Sequence, residues 1–72
     1  MNNPSKGTIA DDQLEPLLTE FEYSRITKRS VASARRDRLL GTGCTYVKLG
    51  SSVRYRVADV RAYIAQNLRS AK

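Results

Sequence analysis

After Gly41-Thr42-Gly43 the hydrophobic period of this chain switches from helical spacing to alternation, and no other feature limits the possible folds so sharply. Val47, Leu49, Val53 and Tyr55 alternate with Lys48, Arg54 and Arg56 across a Gly50-Ser51-Ser52 tip. Successive side chains of a strand point to opposite faces, so the pattern predicts a two-stranded hairpin with one apolar face and one basic face. Val57, Val60, Tyr63, Ile64 and Leu68 then return to the spacing of a helix. They predict a closing helix from about Ala58 to Asn67, with Asp59 in its first turn, where the helix dipole favours an acid.

Two start signals precede the turn. Thr19-x-x-Glu22 has the form of a capping box, in which the Thr hydroxyl accepts from a free backbone N–H and the Glu carboxylate reaches back. Leu18 and Tyr23 stand where a hydrophobic staple packs, so a short first helix is expected over about Glu20–Arg25. Thr27 is the expected N-cap of a second helix from about Lys28 to Leu39, and Gly41 is its stop. On that helix Val31, Ala34 and the stem of Arg38 share one side, while Arg29, Ala32, Ser33 and Arg36 share the other. A charged face is most often only a solvated face, and this one identifies no partner by itself.

The chain has 72 residues, enough for one domain whose core contributes roughly 3–5 kcal/mol of stability. Residues 1–13 are polar, contain Pro4 and Gly7 and show no periodicity, which reads as a disordered lead-in. The domain is expected over residues 14–68, with residues 69–72 as a tail. Residues 1–22 carry one lysine and five acids, a net −4, whereas residues 23–72 carry twelve bases and two acids, a net +10. So uneven a balance points to a polyanion, because each Lys or Arg set on a phosphate releases condensed counterions.

Several function classes fall away. Cys44 is the single cysteine and there is no histidine, so neither an intrachain disulfide nor a Cys/His zinc site is expected. A Ser or Cys nucleophile would lack its usual base, and neither an enzyme nor a cofactor is expected. Gly41-x-Gly43 follows a helix and precedes a strand, the reverse of dinucleotide-binding order. Tyr46, Tyr55 and Tyr63 are of the type that stacks on single-stranded bases, but Tyr55 and Tyr63 fall on apolar faces and read as core. No apolar run approaches the roughly 20 residues of a spanning helix. A protein without membrane attachment, in a reducing bacterial cytoplasm, is the expectation.

Two short helices, a basic hairpin and a covering helix make an α+β domain of small winged helix-turn-helix type. The second helix is then expected in the major groove of double-stranded DNA and the hairpin on the backbone as the wing. Arg29, Ser33 and Arg36 are the candidates for base or groove contacts, since Arg and short polar groups reach base acceptors from that face. Lys28 and Arg35 flank it and suit phosphate contacts. On the wing the candidates are Lys48, Arg54 and Arg56, with Ser51 and Ser52 at the tip.

From Leu17 to about Asn67 the chain resembles the AlpA-like and excisionase proteins, small relatives of the MerR DNA-binding fold. The resemblance is carried by Leu18-Thr19-x-x-Glu22, Gly41-Thr42-Gly43, Tyr46-Val47-Lys48-Leu49-Gly50, Val53-Arg54-Tyr55-Arg56 and Asp59-Val60-x-x-Tyr63-Ile64. The sequence departs from that pattern at Tyr23 and Ser24 (usually alanines), at Cys44 (often Pro) and at Ala58 (often a capping Ser). The resemblance implies an accessory protein of a prophage or integrative element, a recombination directionality factor that bends attachment-site DNA and steers a site-specific integrase, a tyrosine recombinase, toward excision. A transcriptional regulator of an integrated element is the alternative on the same fold, and an RNA- or acidic-protein-binding module is an alternative of another class. Protomers are expected to meet on DNA, since only about five residues follow the last helix.

Overall fold

Thr19 opens the first helix as its spacing predicts. Its hydroxyl accepts from the Glu22 N–H at 3.1 Å, and the Glu22 carboxylate accepts from the Thr19 N–H at 2.8 Å, so both halves of the capping box are present. Replacing Thr19 with alanine removes one half, and stability is expected to fall by about 1 kcal/mol. In a domain of this size that lowers the thermal midpoint by roughly 4–8 °C. A melt followed by circular dichroism checks it, and an unchanged midpoint would mean the box contributes nothing.

The computed structural model describes residues 14–71; the lead-in expected over residues 1–13 and the last residue of the expected tail lie outside the described residues. In chain order the elements are β1 (Leu18–Thr19), α1 (Glu20–Thr27), α2 (Val31–Leu40), β2 (Val47–Leu49), β3 (Ser52–Tyr55) and α3 (Val57–Gln66). The strands form one antiparallel sheet in the order β1-β3-β2. Three helices and this sheet make a small α+β domain compatible with the winged helix-turn-helix class. The sheet has one strand more than the hairpin alone, because Leu18 and Thr19 pair with Tyr55 and Arg54. A two-residue strand carries no period of its own and is invisible in sequence.

The second helix begins later than Thr27 predicts. Thr27 belongs to α1 and its hydroxyl donates to the Tyr23 carbonyl at 2.9 Å. Lys28 then ends α1 in the left-handed region, at φ 62°, and Ser30 caps α2 by accepting from the Ser33 N–H at 3.0 Å. Thr27 and Ser30 are both N-cap types; what separates them is burial. Keeping Thr27 helical leaves it half-buried on the same side of α1 as Tyr23. Starting α2 at Val31 turns Val31, Ala34 and the stem of Arg38 inward, as the spacing predicts.

The hairpin faces also differ from the sequence pattern. The loop is Gly50-Ser51, and Ser52 is already in β3 opposite Leu49. Gly50 has φ 62°, the positive value that a two-residue loop needs at its first position and that costs glycine little. With this register Val47 faces the same side as Arg54, Leu49 the same side as Ser52, and Lys48 the same side as Val53. Directly opposed residues share a face, so apolar and basic groups are mixed. Alternation read through a three-residue tip is out by one, which inverts every side chain beyond it.

The core is Tyr23, Ala34, Cys44, Tyr55 and Val60, with Leu18, Val53 and Tyr63 packed against it. Its centre is the stack of Tyr23 on Tyr55, with ring centroids 4.1 Å apart and planes 10° from parallel. Burial pushes the Cys44 thiol up to about 11, so it stays protonated at neutral pH. Ile64 and Leu68, expected in the core, are exposed. Ile64 shares the Val60 side of α3 but stands a turn further along, where it lines an open groove beside Ile26, and α3 ends before Leu68.

Gly43 lets the connection after α2 lie against that helix, since a Cβ there would meet the Asp37 side chain at 2.8 Å. Between α1 and its neighbours Ser24 brings a defect: its hydroxyl oxygen is buried without a hydrogen-bond partner among the described residues. Ser24→Ala is expected to stabilise the fold by about 1 kcal/mol, from the relieved desolvation and better helix propensity. Urea denaturation should give a higher midpoint at unchanged slope; a lower midpoint would mean that the hydroxyl has a partner.

Candidate nucleic-acid interface

Helix α2 differs from the other helices at its start. Glu20 and Glu22 occupy the first turn of α1 and Asp59 that of α3, but the first turn of α2 has no acid. Its dipole is left without an internal counter-charge, and Lys28 stands exposed just ahead of it. An anion is favoured at such an end. Along the outward side Ala32, Arg35, Arg36 and Leu39 are exposed. The small Ala32 permits close approach, and the two arginines supply donors.

The candidates from sequence fare differently. The Arg36 side chain makes no hydrogen bond or ion pair among the described residues, and neither does that of Lys28. Ser33 is half-buried and its hydroxyl accepts from Ser30 Oγ at 3.0 Å. Arg29 is not on α2 but in the turn before it, so its expected place on the outward helix face is corrected. Its guanidinium lies 3.3 Å from Asp37 Oδ2 and donates to the Tyr63 hydroxyl at 3.3 Å. Arg29 thus ties the turn to α2 and α3, beside an open groove of about 530 Å³ lined also by Ile26, Tyr63, Ile64 and Leu68. That position braces the turn while the side chain stays partly exposed.

Arg35 is exposed but paired with Glu20 of α1, at 2.6 and 3.2 Å. The same carboxylate accepts from Arg38 at 3.1 Å, and Arg38 also donates to the Tyr55 hydroxyl at 2.8 Å. The Arg38 guanidinium lies 5.8 Å from the centre of the half-exposed Tyr46 ring, so this network joins α1, α2, β3 and the approach to the wing.

On the hairpin, Lys48, Ser51 and Ser52 are exposed around the tip. Arg54 is half-buried on the central strand and donates to the Val53 carbonyl at 2.8 Å. Arg56 precedes α3 and forms a two-point pair with Asp59, at 2.5 and 2.8 Å. Among the described residues the wing's unpaired donors therefore gather at its tip, and the basic face expected along its length is divided.

Sequence reasoning missed the counter-ions Glu20, Asp37 and Asp59. The Arg56–Asp59 pair spans three residues and was readable as a helix-start pair; Glu20 and Arg35 are fifteen apart and give no local signal. The Arg35 hydrogen bond, helped by Arg38, holds Glu20 below the usual carboxylate range despite its burial. The Thr19 N–H does the same for Glu22, and Arg56 for Asp59. Each folded value lies below the unfolded one, so the unfolded chain binds more protons in acid and stability falls there. The chain has no histidine. Thermal midpoints are therefore expected to be flat between about pH 6 and 8 and to drop as pH falls below about 4.5. A midpoint that held down to about pH 3 would contradict these pairs.

Among the described residues no three His, Cys, Asp or Glu side chains come together as a metal site requires, and no helix is long and apolar enough to cross a membrane. Comparison with family models, curated proteins and solved structures finds no match for this chain.

Proposed function

We propose that this chain is a sequence-specific double-stranded DNA-binding accessory protein, and that α2 enters the major groove with the hairpin tip on the adjoining backbone. The observation that carries the reading is α2 itself, with no acid in its first turn and Arg36 on its outward side unpaired among the described residues. A net charge of +10 over residues 23–72 supports it. Arg36 reaches guanine O6 and N7, Lys28 and Lys48 neutralise phosphates, and the Ser51 and Ser52 hydroxyls bond phosphate oxygens at the tip.

The finer role follows the resemblance to excisionases: the protein bends attachment-site DNA and directs a tyrosine recombinase toward excision, working in the bacterial cytoplasm. The test is footprinting of the full chain on the element's attachment region, with bending read by gel mobility of permuted fragments. A bent, protected attachment site supports excision; protection confined to a promoter would favour transcriptional regulation. Equal affinity for scrambled duplex, or preference for RNA, would remove the reading.

A further inference from the structure

Glu20 holds Arg35 by one edge of the guanidinium. Nε donates to Oε1 at 3.2 Å and Nη2 to Oε2 at 2.6 Å. A guanidinium has five N–H donors in one plane, and this pair uses two of them. One proton of Nη1 and the second proton of Nη2 remain parallel at the far end as a second fork. Glu20 is itself fixed, because its mostly buried carboxylate also accepts from Arg38, which the Tyr55 hydroxyl holds in turn. The plane of Arg35 is thus anchored to α1 and β3 while its side chain stays 58% exposed.

We propose that Arg35 reads a base and that Glu20 is its positioning residue, aiming the free fork at the O6 and N7 acceptors of a guanine. The inference rests on the double-stranded DNA reading above and exchanges the phosphate role of Arg35 for a directional one. A phosphate accepts from many directions and needs only a nearby cation, whereas a guanine edge requires two coplanar donors. A carboxylate beside a cation weakens its pull on phosphates but lowers the entropy lost when the fork binds. Glu20 therefore costs general affinity and adds preference.

Glu20→Gln and Arg35→Lys separate these terms. Each variant and the unchanged protein are titrated on a footprinted duplex and on scrambled duplex at several salt concentrations. Arg35→Lys keeps the charge but has no planar fork. It is expected to lose roughly 5- to 100-fold of the preference for the footprinted site, with the salt slope unchanged. Glu20→Gln is expected to bind scrambled duplex more tightly, with a slope steeper by about one, and to lose preference as well. In the free protein, the Arg35 Nε–H resonance should exchange slowly, and Glu20→Gln should speed it.

Preference retained by Arg35→Lys would make Arg35 an ordinary phosphate cation and overturn the proposal. So would a Glu20→Gln variant that only melts earlier while keeping both preference and slope. An unchanged protein with no preference among duplexes would refute the DNA reading itself, a result visible before either variant is compared.

Discussion

Tyr55→Ala is expected to unfold the domain at room temperature. Tyr55 is 1% exposed and its ring stacks on Tyr23, itself 2% exposed, so alanine removes the middle of the core. Truncating a buried aromatic costs about 3–5 kcal/mol, and a domain this small holds a total of the same order. The variant should lack a cooperative thermal transition in circular dichroism. Tyr55→Phe keeps the stack and removes only the hydroxyl that accepts from Arg38 at 2.8 Å. It should stay folded and lose about 1–2 kcal/mol, a little more than a neutral bond because the donor is charged. A Tyr55→Ala protein melting within a few degrees of the unchanged one would place the centre of stability elsewhere.

Arg36→Ala and Lys48→Ala are expected to weaken DNA binding in opposite ways. Arg36 is on the outward side of α2, unpaired among the described residues, where a two-point contact to guanine discriminates by about 1–3 kcal/mol. Its loss should reduce affinity for the footprinted site by that amount and change scrambled DNA much less. Lys48, near the hairpin tip, is unpaired among the described residues and has only charge to offer the backbone. Its loss should weaken both duplexes by a similar factor and lower the slope of log affinity against log salt by about one. Fluorescence anisotropy at several salt concentrations measures both, with melts to exclude misfolding. If Lys48→Ala abolished preference while Arg36→Ala preserved it, the wing would be the reading element and the assignment to α2 would fail.

Most of the local architecture was legible in the sequence. The Thr19–Glu22 box, the turn at Gly41 to Gly43, the strands around Gly50 and the Asp59-led helix each depend on groups within a few residues of one another, and such geometry is set by the backbone itself. The donors of the candidate interface were legible as residue types. What they touch was not. Arg29, Arg35, Arg54 and Arg56 all read as free cations, yet each has an intramolecular partner.

The sequence alone determined the helix-hairpin-helix order and the concentration of positive charge after residue 22. Tertiary structure decided which of Thr27 and Ser30 starts α2, because both cap equally well locally and only the burial of Tyr23, Val31 and Ala34 distinguishes them. It decided the mixed faces of the hairpin through strand register, and the third strand through the pairing of Leu18 with Tyr55. It also decided that, among the described residues, Arg36 is unpaired while Arg35 is held by Glu20. Capping and turn energies act over a few residues and are written in short motifs. Packing and ion pairing between elements depend on where the whole chain brings them, and no window of sequence contains that.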